Sequence, residues 1–86
     1  MVAEIIQKVK FKLAESVEAK ISGLEIRMPD GIYFISWDDC PESLKRASEF
    51  QRMNLELSPA GYGIRWFELD EDLSIGGLLK KAKRTE

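Results

Sequence analysis

The hydrophobic positions of this chain change period several times, and each change marks an element. Lys8-Val9-Lys10-Phe11-Lys12-Leu13 alternates strictly, as in a strand with Val9, Phe11 and Leu13 inward. Val2, Ile5, Ile6, Val9 and Leu13 also form one helical stripe, so residues 2–13 fit either a strand or a helix. The strand is preferred because a helix leaves Phe11 off its apolar face. Further on, Val17, Ala19 and Ile21 alternate with Glu18 and Lys20, and Leu24, Ile26 and Met28 alternate with Glu25 and Arg27. Ser22-Gly23 is the turn candidate between these two strands. Pro29-Asp30-Gly31 predicts the next turn: Pro presets φ, Asp bonds back to the backbone and Gly takes positive φ. The third strand, Ile32 to Trp37, is apolar on nearly both faces. A strand with one solvated face alternates more cleanly, so something covers its second face: the N-terminal segment, a helix or another chain.

The period then lengthens. Asp39 and Glu42 have capping-box spacing and Pro41 suits a first helical turn. A helix is expected from Pro41 to Gln51, with Leu44, Ala47 and Phe50 inward. Met53, Leu55 and Leu57 alternate again, Ser58-Pro59-Ala60-Gly61 reads as a type I turn, and Tyr62 to Trp66 returns as the hairpin partner. Gly63 marks a bulge or a close backbone approach in that strand. Asp72 or Ser74 caps a final helix through Lys83, whose lysines suit the negative end of the helix dipole. The order is β-β-β-α-β-β-α, with an extra N-terminal strand or helix as an option. That is an α+β domain built as an antiparallel meander of hairpins, with a short helix between hairpins and a C-terminal helix.

Composition limits what this fold can do. Eighty-six residues allow one domain, residues 1–86, and 44% hydrophobic with 33% charged residues is ordinary globular content. There is no histidine, which removes the usual general base, the usual zinc ligand and the Ser/His and Cys/His nucleophile pairs. One cysteine, Cys40, rules out an intramolecular disulfide and agrees with a reduced, cytoplasmic compartment. No stretch is long and apolar enough for a membrane span, and charged residues interrupt the N-terminal apolar runs, unlike a signal peptide. The net charge of -2 is unevenly placed. Residues 14–79 carry six basic and thirteen acidic residues, whereas Lys8, Lys10 and Lys12 at one end and Lys80, Lys81, Lys83 and Arg84 at the other make the ends basic.

Asp70-Glu71-Asp72, with Glu68 nearby, is the densest acidic cluster. It fails the calcium-loop template, because the position that needs Gly holds Ile75 and the position that needs Glu holds Lys81. These acids are expected to cap the last helix, and no catalytic residue, metal or cofactor is assigned. Gly61-Tyr62-Gly63 closes a hairpin instead of opening a helix, so it is no phosphate loop. Lys80, Lys81, Lys83 and Arg84 are the nucleic-acid candidates, although a solvated helix end explains them as well. Lysines in the N-terminal segment would also protect an edge strand. Tyr33, Trp37, Tyr62, Trp66 and Phe67 should mostly be core, and any aromatic left exposed marks a protein interface. The interface candidates are Trp37, Arg65, Trp66 and Phe67, with Arg65 alternating outward as the simpler alternative. Cys40 lies near a helix N-terminus and is read as structural unless exposed.

From Gly61 the chain reads Gly-Tyr-Gly-Ile-Arg-Trp-Phe-Glu-Leu-Asp-Glu-Asp-Leu-Ser-Ile-Gly-Gly-Leu-Leu. This resembles the ending of the 2442 family of domains of unknown function. Leu24-Glu25-Ile26-Arg27-Met28-Pro29-Asp30-Gly31, Leu44-Lys45-Arg46-Ala47-Ser48 and Gln51-Arg52 are similar to its strand, turn and short helix. The resemblance covers residues 17–79, leaving residues 1–16 as an N-terminal extension and 80–86 as a basic tail. Arg65 stands where that family often has histidine, and Phe67 where it often has proline, so a role tied to the histidine does not carry over. The resemblance implies a bacterial domain without established enzymatic activity. Short members are often encoded beside a small protein of the 4160 family of domains of unknown function, as a suspected toxin-antitoxin pair. Some longer members add a helix-turn-helix domain, for which the expected last helix leaves no room. The expectation is a non-catalytic protein-interaction module, the antitoxin-like partner of a small toxin-like protein, with charge complementarity between its acidic body and a basic partner. The alternatives are a DNA-contacting regulator and a carboxylate-dependent enzyme. A homodimer through the apolar third strand is a further expectation.

Overall fold

The structure, a computed structural model, describes residues 13–85. The N-terminal strand-or-helix alternative lies outside the described residues, apart from Leu13, which belongs to no regular element. Alternation organises the first sheet. Strands β1 (Ser16–Ala19), β2 (Gly23–Met28) and β3 (Gly31–Ser36) form an antiparallel meander in which Val17 faces Ile26, Ile26 faces Tyr33 and Leu24 faces Ile35. The opposite face holds Glu25, Arg27, Ile32 and Phe34 in cross-strand pairs, with Lys20 bridging Glu18 and Glu25.

The first turn falls one residue earlier than Ser22-Gly23. Lys20 N–H donates to the Gly23 carbonyl at 2.7 Å, which leaves Ile21-Ser22 as the loop and Ile21 exposed. Gly23 is held inside β2 because the Phe34 ring and the Ile35 carbonyl occupy the space of a β-carbon there. Phe34 therefore lies over Gly23, which supplies part of the cover that the apolar third strand needs. The Pro29-Asp30 turn forms as expected, with Gly31 at φ 148°. The Asp30 carboxylate, however, accepts from the Tyr33 hydroxyl at 3.0 Å.

The single helix expected over 41–51 is two. A 3-10 turn (Trp37–Asp39) leads into α1 (Glu42–Lys45), and α2 (Glu49–Met53) follows after a break. Ser36, not Asp39, caps the 3-10 turn, and α1 has no side-chain cap. The break has a local cause: Ser48 and Gln51 form a reciprocal capping box, Gln51 N–H to Ser48 Oγ at 3.1 Å and Ser48 N–H to Gln51 Oε1 at 3.0 Å. Restarting the helix there turns Phe50 outward, to 69% exposure, while Leu44 stays buried.

The second sheet consists of β4 (Leu55–Leu57), β5 (Gly63–Trp66) and β6 (Glu71–Ser74), all antiparallel. Strand β6 replaces the loop and cap expected for the acidic triad. Gly61, not Gly63, is the close approach. At φ 85° it closes the Ser58–Gly61 turn, and its carbonyl accepts from Ala14 N–H. Gly63 sits in regular register opposite Ser74, with no bulge. Ser74 caps α3 (Ile75–Leu79) through Gly77 N–H at 2.9 Å, as one of the two expected caps. The helix stops well before Lys83. Lys83 and Arg84 form β7, which pairs with the far edge of β3, and Thr85 N–H donates to the Ile32 carbonyl at 2.8 Å. An unpaired strand edge in the middle of a chain seeks such a partner.

The first sheet is thus ordered β1-β2-β3-β7 and the second β4-β5-β6. Leu24, Ile26 and Ile35 from one sheet, Ile64 and Trp66 from the other, and Trp37, Cys40, Leu44, Ile75 and Leu78 from the connections make one buried cluster.

Candidate interaction surface

The two tryptophans carry the strongest anchoring chemistry in the chain, and the fold spends both on its core. Trp66 is fully buried, with its indole N–H donating to the Arg52 carbonyl at 3.0 Å. Trp37 is buried too, and donates to the Lys20 carbonyl at 2.9 Å. Neither is an interface anchor in this fold, which corrects that part of the sequence reading. Each indole meets its one polar requirement internally, as a buried tryptophan must.

Arg52 joins them. Its guanidinium donates to the Leu44 and Lys45 carbonyls at 2.9 and 2.8 Å, at the C-terminus of α1, and lies 5.0 Å from the centre of the Trp37 ring. This residue ties α2 to the end of α1 and to Trp37, and the opposite face of α2 stays in solvent. Phe50 and Met53, three residues apart and so on one helical face, are 69% and 62% exposed. Phe67 is 45% exposed, and its N–H donates to the carbonyl of Asn54, which follows α2. Phe50 and Met53 on α2, and Phe67 tied by its backbone to the residue after α2, are thus three exposed apolar side chains, flanked in sequence by Glu49 and Glu68. Of the interface candidates, Phe67 and Arg65 are at the surface. Phe50 and Met53 were missed as surface residues, and the Ser48-x-x-Gln51 capping signal was the clue to their outward register.

Arg65 does alternate outward. It donates to Asp72 at 2.8 Å and to Asp70 at 2.9 Å, bonds that raise its pKa, that to Asp72 first. Asp70 takes φ 50°, the left-handed conformation that asparagine and aspartate tolerate best, to close the β5–β6 turn. Glu71 accepts from the Ser43 hydroxyl. The triad therefore braces a hairpin and does not cap α3. Among the described residues no group of His, Cys, Asp or Glu is placed to hold a metal ion.

Ion pairs use most of the basic residues of the acidic body. Lys20, Arg27, Arg46 and Arg65 each meet a carboxylate, and Arg52 faces carbonyls. The acidic excess is left on the surface. In the basic tail, Lys80 and Lys81 close the turn after α3 and Arg84 lies against Gly31, donating to the Asp30 carbonyl. The start of the tail is therefore a helix end, with Lys80 as the C-cap of α3, and only Lys83 and Arg84 form a pinned edge strand. Cys40 is buried, and burial pushes its thiol up to about 11, away from reactive thiolate chemistry.

The family described as "Protein of unknown function (DUF2442)" matches residues 14–84. The chain belongs to this family. The match runs past the expected 17–79 at both ends, so the edge strand β7 is part of the family domain and the extension shortens to residues 1–13. No curated protein matches the chain. A crystal structure of a protein of unknown function from Rhodospirillum rubrum is similar, with a TM-score of 0.71 and 24% identity, over 83% of this chain and 88% of that one. That likeness bears on the fold. No helix among the described residues is long and apolar enough to cross a membrane.

Proposed function

We propose that this DUF2442 domain is a non-catalytic protein-interaction module, the antitoxin-like partner of a small basic protein. The observation that carries the reading is the exposure of three large apolar side chains, Phe50, Met53 and Phe67, on and beside α2 of an acidic body. The core closes without these side chains, so leaving three large apolar groups in water has no structural return. A basic partner with an apolar centre would gain from both these side chains and the surrounding charge.

The test is co-purification of the tagged chain from its own cells, compared with Phe50→Ser and Phe67→Ser variants. The reading expects one small basic protein at one-to-one stoichiometry with the wild-type chain. Recovery should fall at least tenfold with either variant, at unchanged melting temperature. No partner, or a partner indifferent to both variants, refutes it. The regulator reading draws less support: Arg84 is occupied by Asp30, and the body around the tail repels phosphate. A gel shift at low salt that weakens with added salt would restore it.

A further inference from the structure

We infer that the solvent face of the second sheet is a groove that receives an arginine side chain of a protein partner. The inference rests on the interaction reading above and names a second contact surface for it. A concavity of about 540 Å³ lies on this face. Its floor is two cross-strand rows. In one, Glu56, Arg65 and Asp72 stand side by side on β4, β5 and β6. In the other, Gly63 stands beside Ser74 on β6, and Ser58, just past β4, receives the Gly63 N–H on its hydroxyl at 3.1 Å.

Gly63 opens the groove, and nothing in the backbone demands a glycine there. Its φ is not positive, and an added β-carbon would meet only the Leu73 carbonyl, at an ordinary 3.5 Å. A glycine inside a strand sacrifices packing and costs chain entropy. What the missing side chain provides is space. The two serines border that space, and their oxygens already accept: Ser58 Oγ from Tyr62 and Gly63 N–H, Ser74 Oγ from Gly77 N–H. Each hydroxyl proton is therefore left to donate outward, to a carbonyl of the incoming chain.

Charge selects the other end of the ligand. Arg65 is shared between Asp70 and Asp72, while Glu56, opposite Arg65 on β4, has no ion pair among the described residues. Glu56 and Asp72 line this end of the groove against one guanidinium, with Asp70 just outside, so the end is anionic, which disfavours a phosphate and favours a cation. The two rows are two residues apart, about 7 Å along the strands. That is the span of an extended arginine side chain, with its backbone carbonyl over the serine row and its head on Glu56. Tyr62, exposed at the rim, offers a ring on which a guanidinium stacks better than an ammonium does.

The probe is the tripeptide Ac-Val-Arg-Val-NH2, titrated into ¹⁵N-labelled protein and compared with Ac-Val-citrulline-Val-NH2, a neutral analogue of the same shape. The arginine peptide should bind in the millimolar range and move the amide signals of Gly63, Arg65 and Ser74. Citrulline, or Glu56→Gln, should weaken binding by about fivefold, as loss of one exposed charge pair allows. Gly63→Val should keep or raise the melting temperature and abolish the shifts. Equal binding of both peptides, shifts centred elsewhere, or no shifts overturn the groove. A co-purified partner that Gly63→Val holds as well as wild type also overturns it while leaving the interaction reading intact. Arginine-dependent shifts in the groove without any co-purified partner uphold the basic-ligand site and count against the interaction reading alone.

Discussion

Replacing Arg52 is the sharpest test of how this small core is held. Its guanidinium makes two hydrogen bonds to helix-terminal carbonyls and sits over Trp37, and its own carbonyl receives the Trp66 indole. Arg52→Ala removes the two side-chain bonds and the ring contact but leaves the carbonyl. A hydrogen bond to a charged group contributes about 1.5–3 kcal/mol when buried, and half-exposure together with rehydration of the freed carbonyls lowers that to about 1 kcal/mol each. The ring contact adds about 0.5–1 kcal/mol. The expected loss is about 2–3 kcal/mol, or roughly 10–20 °C in melting temperature for a domain of this size. Arg52→Lys keeps a cation near Trp37 but has no fork to span both carbonyls, so it should lose about half as much. Urea unfolding followed by tryptophan fluorescence reads both variants, because the affected indoles are the only two in the chain. An Arg52→Ala protein within about 0.5 kcal/mol of wild type refutes the argument, since that is the range of an ordinary surface substitution. Equality of the alanine and lysine variants would instead assign the effect to the paired bonds and none to the ring.

Gly61→Ala should cost at least about 2 kcal/mol by chemical denaturation, because a left-handed φ combines with a β-carbon driven into the Ala14 carbonyl; a neutral outcome would mean the Ala14 segment does not pack there. Cys40 should resist Ellman's reagent in the native protein and react at once in guanidinium chloride. Since its folded pKa of about 11 exceeds the ordinary thiol value of 9.0, the unfolded chain ionises first, and stability should fall as pH rises between those values. Cys40→Ala should flatten that part of a stability-versus-pH curve, and an unchanged slope would remove the thiol from the account.

The meander was legible where alternation is strict: Leu24, Ile26 and Met28 point inward and Glu25 and Arg27 outward, and the Pro29-Asp30-Gly31 turn forms as its residue types require. Errors arose where a local signal competed with a longer pattern. Leu44, Ala47 and Phe50 keep helical spacing across a break that Ser48 and Gln51 impose. Asp70-Glu71-Asp72 has the composition of a helix cap, and only the register against Arg65 makes it a strand. The fate of Lys83 and Arg84 depends on an unpaired edge some 50 residues away in the chain, which no local window contains. At the surface, the sequence pointed to tryptophan by residue type. Burial overrode that preference and left Arg65 and Phe67, with Phe50 and Met53 in place of the indoles.

The pairing of β3 with β7 also sets an order of assembly. The hairpins among β1, β2 and β3 close over loops of two residues and can form as soon as those strands exist. The fourth strand follows α1, α2, the whole second sheet and α3 in the chain, so it is made last, and closing a loop of about 50 residues costs several times the thermal energy. Until then the outer edge of β3, apolar through Ile32 and Phe34, is open to any extended chain that arrives first. While the chain is being made, this edge is therefore bare until Lys83 and Arg84 emerge, and their docking is what ends the exposure.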